Sequence, residues 1–111
     1  MAVLKKKIGQ ELRKRTVESF LDFLILTTLA KNPLMSSDDL MSYIHQKFRI
    51  SLSSGILYSH LFHVEQDGLI LRDYIKNKKV YRLTRKGKQK IDIAKKNKNG
   101  IQWVIDQILE G

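Results

Sequence analysis

The sequence predicts a mainly α domain that carries one small two-stranded β-hairpin, and three observations lead there. Apolar residues recur every three or four positions through most of the chain, the period of helices. Only residues 69–83 switch to short β-branched and aromatic runs, split by a basic turn. The 111 residues, 42% of them hydrophobic, suffice to bury one real core but not two independent ones. Cysteine is absent, which excludes disulfides, thiolate metal sites and cysteine nucleophiles.

Residues 3–15 place Val3, Leu4, Ile8 and Leu12 at helical spacing among charges, so a basic N-terminal helix is expected. Gly9 weakens it by about 1 kcal/mol relative to alanine. Residues 17–30 are apolar nearly all round (Val17, Phe20, Leu21, Phe23, Leu24, Ile25, Leu26, Leu29), the mark of a central core helix. Lys31-Asn32-Pro33 ends it, because the residue before a proline avoids the helical region. Ser36 with Asp39 three residues on is a capping box with Asp in place of Glu or Gln. Leu40, Met41, Ile44 and Phe48 then predict a helix over about 37–47.

Arg49–Ser51 is a short connection, and Ser53 or Ser54 caps a further helix reaching Asp67, where Gly68 suits a left-handed stop. Leu69–Tyr74 reads as a strand, Lys76-Asn77-Lys78 as a tight basic turn, and Lys79–Leu83 as the return strand. Thr84 can cap the last helical region. There Ile91, Ala94, Ile101, Ile105 and Ile108 keep a three-four seam with Lys98 in the missing step. One helix from 85 to about 109 fits that seam. The Asn99-Gly100 breaker offers two shorter helices instead.

A lone hairpin is marginal and must lean on helices. Two helices joined by a short turn, followed at once by a basic hairpin, make a winged helix-turn-helix. The expected organisation is a basic N-terminal helix or extension at 1–15, a winged-helix domain at 16–84 and a C-terminal dimerisation helix at 85–111.

Charge is distributed unevenly. The chain is +10 with a pI near 9.9, and residues 72–98 alone carry +10: twelve Lys and Arg against Asp73 and Asp92. Residues 1–15 add +5, while 16–71 and 99–111 are net acidic. Stability does not require such asymmetry, since self-repulsion opposes it. A solvated lysine-rich face is the plain reading; a polyanion partner is the sharper one. Nucleic acid is favoured over a membrane surface, because no basic helix rich in Trp and Phe is present. The longest apolar run, Phe23–Leu26, is far too short to span a bilayer. No secretion signal is expected, which leaves a cytoplasmic, nucleoid-associated location.

Gly55-Ile56-Leu57-Tyr58, Leu61, Val64-Glu65-Gln66-Asp67-Gly68-Leu69-Ile70 and Val80-Tyr81-Arg82-Leu83-Thr84-Arg85-Lys86-Gly87 together resemble the core signature of PadR-type winged-helix transcriptional regulators. In that family Gly-x-Leu-Tyr opens the recognition helix, Leu-Glu-x-x-Gly-Leu-Ile ends it, and Tyr-x-Leu-Thr-x-x-Gly leads into the C-terminal helix. The resemblance covers roughly residues 17–90, and Asn32-Pro33-Leu34 fits it. Ser36-Ser37-Asp38 stands where the family usually has His-Gly-Tyr, Ser54 and Ser59 stand for prolines, and Val64 for a leucine. The resemblance implies a homodimeric DNA-binding regulator with Trp103 on the dimerisation helix. Some members stack planar aromatic effectors on such a Trp; in a helix with Val104, Ile105 and Ile108, plain dimer core is the simpler role.

The segment 54–67 is the expected recognition helix. At 100° per residue Leu57, Leu61 and Val64 lie within about 60° of one another and must face the core. Gly55, Ser59, His63 and Gln66 fall opposite. Ser53 and Ser54 cap the helix, and its free N–H groups favour a phosphate, which Gly55 lets approach closely. Ser59, His63 and Gln66 either reach base edges or stand in solvent. Tyr58, at the border, is either a half-buried core residue or a phosphate contact. Phe62 is expected to pack against a neighbouring element, with a thymine methyl as the lesser alternative. Glu65 should pair with Arg72 or Arg82. In the wing, residues 74–80, Lys76, Lys78 and Lys79 have no packing reason to cluster and are assigned to phosphate. Ile101, Trp103, Val104, Ile105, Ile108 and Leu109 form an expected dimer interface, since a core already closed leaves their stripe without cover.

A metal is not expected: His60 and His63 lack a third histidine nearby and there is no cysteine. Asp38-Asp39 is explained by capping, no glycine-rich phosphate loop exists, and no cofactor or enzymatic role is expected. Nothing in the sequence supports an effector. The leading expectation is a sequence-specific DNA-binding regulator, a repressor, acting as a homodimer. The alternative is an architectural DNA-binding protein without strong sequence preference.

Overall fold

The computed structural model describes all residues 1–111. Six helices and one hairpin follow in order: α1 (Ala2–Ser19), α2 (Leu21–Lys31), α3 (Ser37–Phe48), α4 (Ser54–Gln66), β1 (Ile70–Ile75), β2 (Lys78–Leu83), α5 (Arg85–Lys96) and α6 (Lys98–Glu110). The core gathers Leu21, Ile25, Leu26 and Leu29 of α2, Leu40 and Ile44 of α3, and Leu57, Leu61 and Val64 of α4. Leu69, Ile70 and Tyr81 of the hairpin and Ile91 of α5 complete it. This is the mainly α architecture with a β-wing that the sequence predicts.

The boundaries differ from expectation in three places. The N-terminal helix does not stop at residue 15 but runs to Ser19, and the break falls at Phe20 (φ −113°, ψ 23°). Val17, assigned by pattern to the core helix, is the buried foot of α1. The wing turn has two residues, not three: Ile75 pairs directly with Lys78, leaving Lys76 and Asn77 at φ 50° and 65°. Both positive φ values mark a type I′ turn, whose twist matches that of the strands. The C-terminal region is two helices, and the break sits at Asn97 rather than Asn99-Gly100. The Asn97 side-chain amide donates to the Ile93 carbonyl at 2.8 Å and its own N–H to Ala94, closing α5. Gly100 lies inside the first turn of α6.

The predicted caps form. Ser36 accepts from the Asp39 N–H while the Asp39 carboxylate accepts from the Ser36 N–H. Ser53 accepts from Ile56 N–H, and Thr84 from Gly87 N–H. Gly68 takes φ 74° after α4, with Leu69 N–H reaching back to the Val64 carbonyl as in a Schellman stop. The Thr84 hydroxyl donates to Gly68 and the Lys86 ammonium to Asp67, so carbonyls at the end of α4 are satisfied from α5.

Candidate nucleic-acid interface

The hydrophobic period of α4 fixes what it shows to solvent. Leu57, Leu61 and Val64 are buried, and Ser54, Gly55, Tyr58, Ser59, Phe62, His63 and Gln66 are all exposed. Ser53, the N-cap, is exposed as well. A Cβ on Gly55 would meet no neighbour, so packing does not demand glycine there. Ser59, His63 and Gln66 stand on the open side, as their spacing predicts.

Two aromatic residues of α4 are partly open to solvent. Phe62 is 53% exposed, and its ring lies edge-on to that of His63 at 5.8 Å on the same helix. Tyr58 is half-buried at 48% exposure, outside the core cluster, and Ser37 donates to its hydroxyl at 3.4 Å. That hydrogen bond joins the N-terminus of α3 to α4.

The wing is tied to both helices. Arg72 of β1 grips Glu65 of α4 with two hydrogen bonds of 3.1 and 2.9 Å, while Arg82 pairs with Asp73 across the strands at 2.9 Å. Of the two arginines open to Glu65 in the sequence, Arg72 is therefore the partner. Tyr81 N–H donates to the Met35 carbonyl, an isolated bridge that leaves β1 as the outer strand. One bridging residue leaves no periodicity in a sequence, so this link was not legible.

The three wing lysines are not equivalent. Lys78 lies in β2, 3.7 Å from Asp39, and Lys79 sits over the Tyr81 ring at 5.8 Å. Two of them thus have local partners that the sequence did not show, and Lys76 alone projects from the turn. Through Asp39 the wing meets the N-terminus of α3, which Ser37 joins to Tyr58. Hairpin, α3 N-terminus and the outer side of α4 therefore adjoin.

Part of the basic excess is used inside the fold. Lys86 caps α4 and Lys90 lies over the Phe23 ring at 5.3 Å, while Arg85, Lys88, Lys95 and Lys96 are exposed. His45 Nδ1 is 2.8 Å from the Ile50 carbonyl, a local interaction at the end of α3. No group of three His, Cys, Asp or Glu side chains is placed to hold a metal ion. No helix is long and apolar enough to cross a membrane.

At the other end, α6 buries none of its residues. Ile101 is partly covered, and Val104, Ile105, Ile108 and Leu109 are exposed. Trp103, 63% exposed, lies on the opposite side of the helix from Ile101, Ile105 and Ile108 by helical spacing. An apolar groove of about 620 Å³ continues from Ile101 past Ile93 to Phe20 and Phe23. Leu4, Ile8 and Leu12 form a second uncovered stripe on α1.

No protein-family model matches the chain, and a search of curated proteins found no match either. Solved structures do match. A PadR family transcription regulator from Clostridium difficile is similar with 26% identity and a TM-score of 0.69, over 81% of this chain and 98% of that one. A winged-helix DNA-binding protein from STIV is similar with 27% identity and a TM-score of 0.60, over 67% and 82%. A transcriptional regulator from Clostridium thermocellum shares the fold at 20% identity, with a TM-score of 0.75 over 84% and 93%. The chain thus has the winged-helix fold of these solved structures, several of them PadR-family regulators, the family that its α4 and hairpin motifs resemble.

Proposed function

We propose that this chain is a sequence-specific DNA-binding transcriptional regulator that acts as a homodimer, with α4 in the major groove and the wing on phosphate. One observation carries the reading. The buried side of α4 is held by Leu57, Leu61 and Val64, while its opposite side and N-terminus stand open beside a lysine-tipped hairpin locked to the same helix by Arg72 and Glu65. Regulatory and DNA-binding roles named for the solved neighbours support it. Repression is the sign proposed within this reading. A nucleoid-associated location in the cytoplasm goes with this role.

Within this reading Ser53, Ser54, Gly55 and Tyr58 meet phosphate, Ser59, His63 and Gln66 meet base edges, and Lys76, Lys78 and Lys79 flank the groove. The dimer forms through α6, using Ile101, Trp103, Val104, Ile105, Ile108 and Leu109. Both sides of α6 are apolar, so the second copy must cover more than one face, and the stripe on α1 is a suitable surface. Its flanking Lys5, Lys6, Lys7 and Arg15 complement Asp106 and Glu110 on α6.

Architectural binding without sequence preference is the second reading. It is favoured by the absence of any Lys or Arg in α4. A duplex titration across salt tests DNA binding itself. Log affinity should fall linearly with log salt. Replacing Lys76, Lys78 and Lys79 together by Ala should weaken all sequences alike and make the slope shallower by about one unit for each phosphate the wing no longer neutralises. An unchanged slope would take the wing off the DNA.

A further inference from the structure

We infer that the outward face of α4 is built to read A·T pairs, with the Phe62 ring set against thymine methyl groups. The inference rests on the DNA-binding reading above and adds the class of base pair that the helix recognises. Four residues define the line of α4 farthest from the core. At 100° per residue Gly55, Ser59, Phe62 and Gln66 fall within about 60° of one another, directly opposite Leu57, Leu61 and Val64. A helix entering a groove with its buried side outward puts this line deepest. Gly55 has no side chain and Ser59 a small one, so the ring of Phe62 is the bulkiest group presented.

That ring lies outside the buried core. It is 53% exposed, and its aromatic neighbour is the edge-on ring of His63. An uncovered Phe at the centre of a binding face needs an apolar counterpart. In the major groove the apolar group on a base edge is the C5 methyl of thymine. The polar residues nearby agree. No Arg or Lys lies in α4, so the commonest reader of guanine is missing. Gln66, one turn beyond Phe62 on the same line, has the amide that pairs with the N6 and N7 edge of adenine. Its carbonyl oxygen and amide group match an A·T pair adjacent to the thymine that Phe62 touches. The charge suits DNA over a protein partner, since Lys76 is exposed at the wing tip and the α4 N-terminus is open.

Deoxyuridine substitution tests the assignment, because it deletes the thymine methyl and leaves the base pair intact. Duplexes enriched by the wild-type chain from a random pool are remade with deoxyuridine at each thymine of the half-site. The wild type should bind at least one substituted duplex about fourfold more weakly, the effect of one buried methyl. Phe62→Ala should bind thymine and deoxyuridine duplexes equally. Its fold is checked by circular dichroism, and Phe62→Leu should restore part of the preference if Ala perturbs the helix. Equal wild-type affinity for every substituted duplex would overturn the thymine assignment while leaving DNA binding intact. Enriched sites made only of G·C pairs would do the same. A wild type that binds no duplex at all would instead remove the DNA-binding reading, and this inference with it.

Discussion

Gly87 shows how a single residue in a sequence motif follows from packing. It is buried in the first turn of α5, and a Cβ built there would overlap the Leu69 carbonyl and come within 2.7 Å of Leu83 Cδ1. The Leu69 carbonyl also accepts from Thr84, so it has little freedom to move. Gly87→Ala should therefore cost about 1–3 kcal/mol, the range for overpacking a rigid site. A denaturant midpoint unchanged from wild type would contradict the close approach. Asp39 gives a residue-scale prediction in pH. The Ser36 N–H, then the Ser36 hydroxyl, hold its carboxyl below the ordinary aspartate value; desolvation opposes them, and Lys78 adds a smaller lowering. A carboxyl more acidic folded than unfolded stabilises the fold above its unfolded pKa, and that contribution is lost as pH falls through the folded value. Stability should thus hold through neutral pH and decline below about pH 4, where an unfolded aspartate protonates. Asp39→Asn should remove part of that decline; parallel acid profiles for the two proteins would show that the cap contributes nothing. The capping pair was legible in the sequence, because a cap is local. Its ion pair with Lys78 was not, because the two residues meet only through the fold.

The wing shows the same division among elements. Its existence was plain from the change of period after Gly68, yet its turn was drawn one residue too long. Strand ends here are exposed on both faces, so alternation gives no register, and the turn type decides it. Lys76 takes φ 50°, a region that asparagine tolerates far better than lysine. A strained lysine at the tip is sensible if its charge is needed on phosphate. Lys76→Asn should then raise the melting temperature slightly while making the salt slope of DNA binding shallower by about one unit. A variant that gains stability with no change in slope would leave the lysine without a role at the DNA. The helix breaks at Phe20 and Asn97 were illegible for a different reason. No glycine or proline marks either one; side-chain and backbone hydrogen bonds set them locally. Residues 98–100 in particular continue as helix despite the Asn-Gly pair. Helix α4 was legible in its core seam and in the open position of Ser59, His63 and Gln66. Phe62, off the core seam by its spacing from Gly55 and Gln66, is 53% exposed.

The whole molecule measures 51 × 31 × 21 Å, elongated for 111 residues. Uncovered apolar residues run along both α6 and α1, a pattern that a monomer in water does not sustain well. The proposed two-fold dimer would cover them and supply two copies of α4 to the DNA. Ile105→Asp should dissociate it and remove most of the DNA affinity. A wild-type mass of about one chain by light scattering at tens of micromolar would contradict the dimer. The basic excess of residues 72–98 was readable as charge but not as geometry, since Lys78, Lys86 and Lys90 turned out to have partners within the fold. The most direct test of the central claim is selection of bound sites by the wild-type protein from random duplexes. A sequence-specific dimer should enrich an inverted repeat whose half-sites lie about one helical turn, 10–10.5 base pairs, apart. Binding with no enriched motif would contradict sequence-specific regulation and leave the architectural reading in its place.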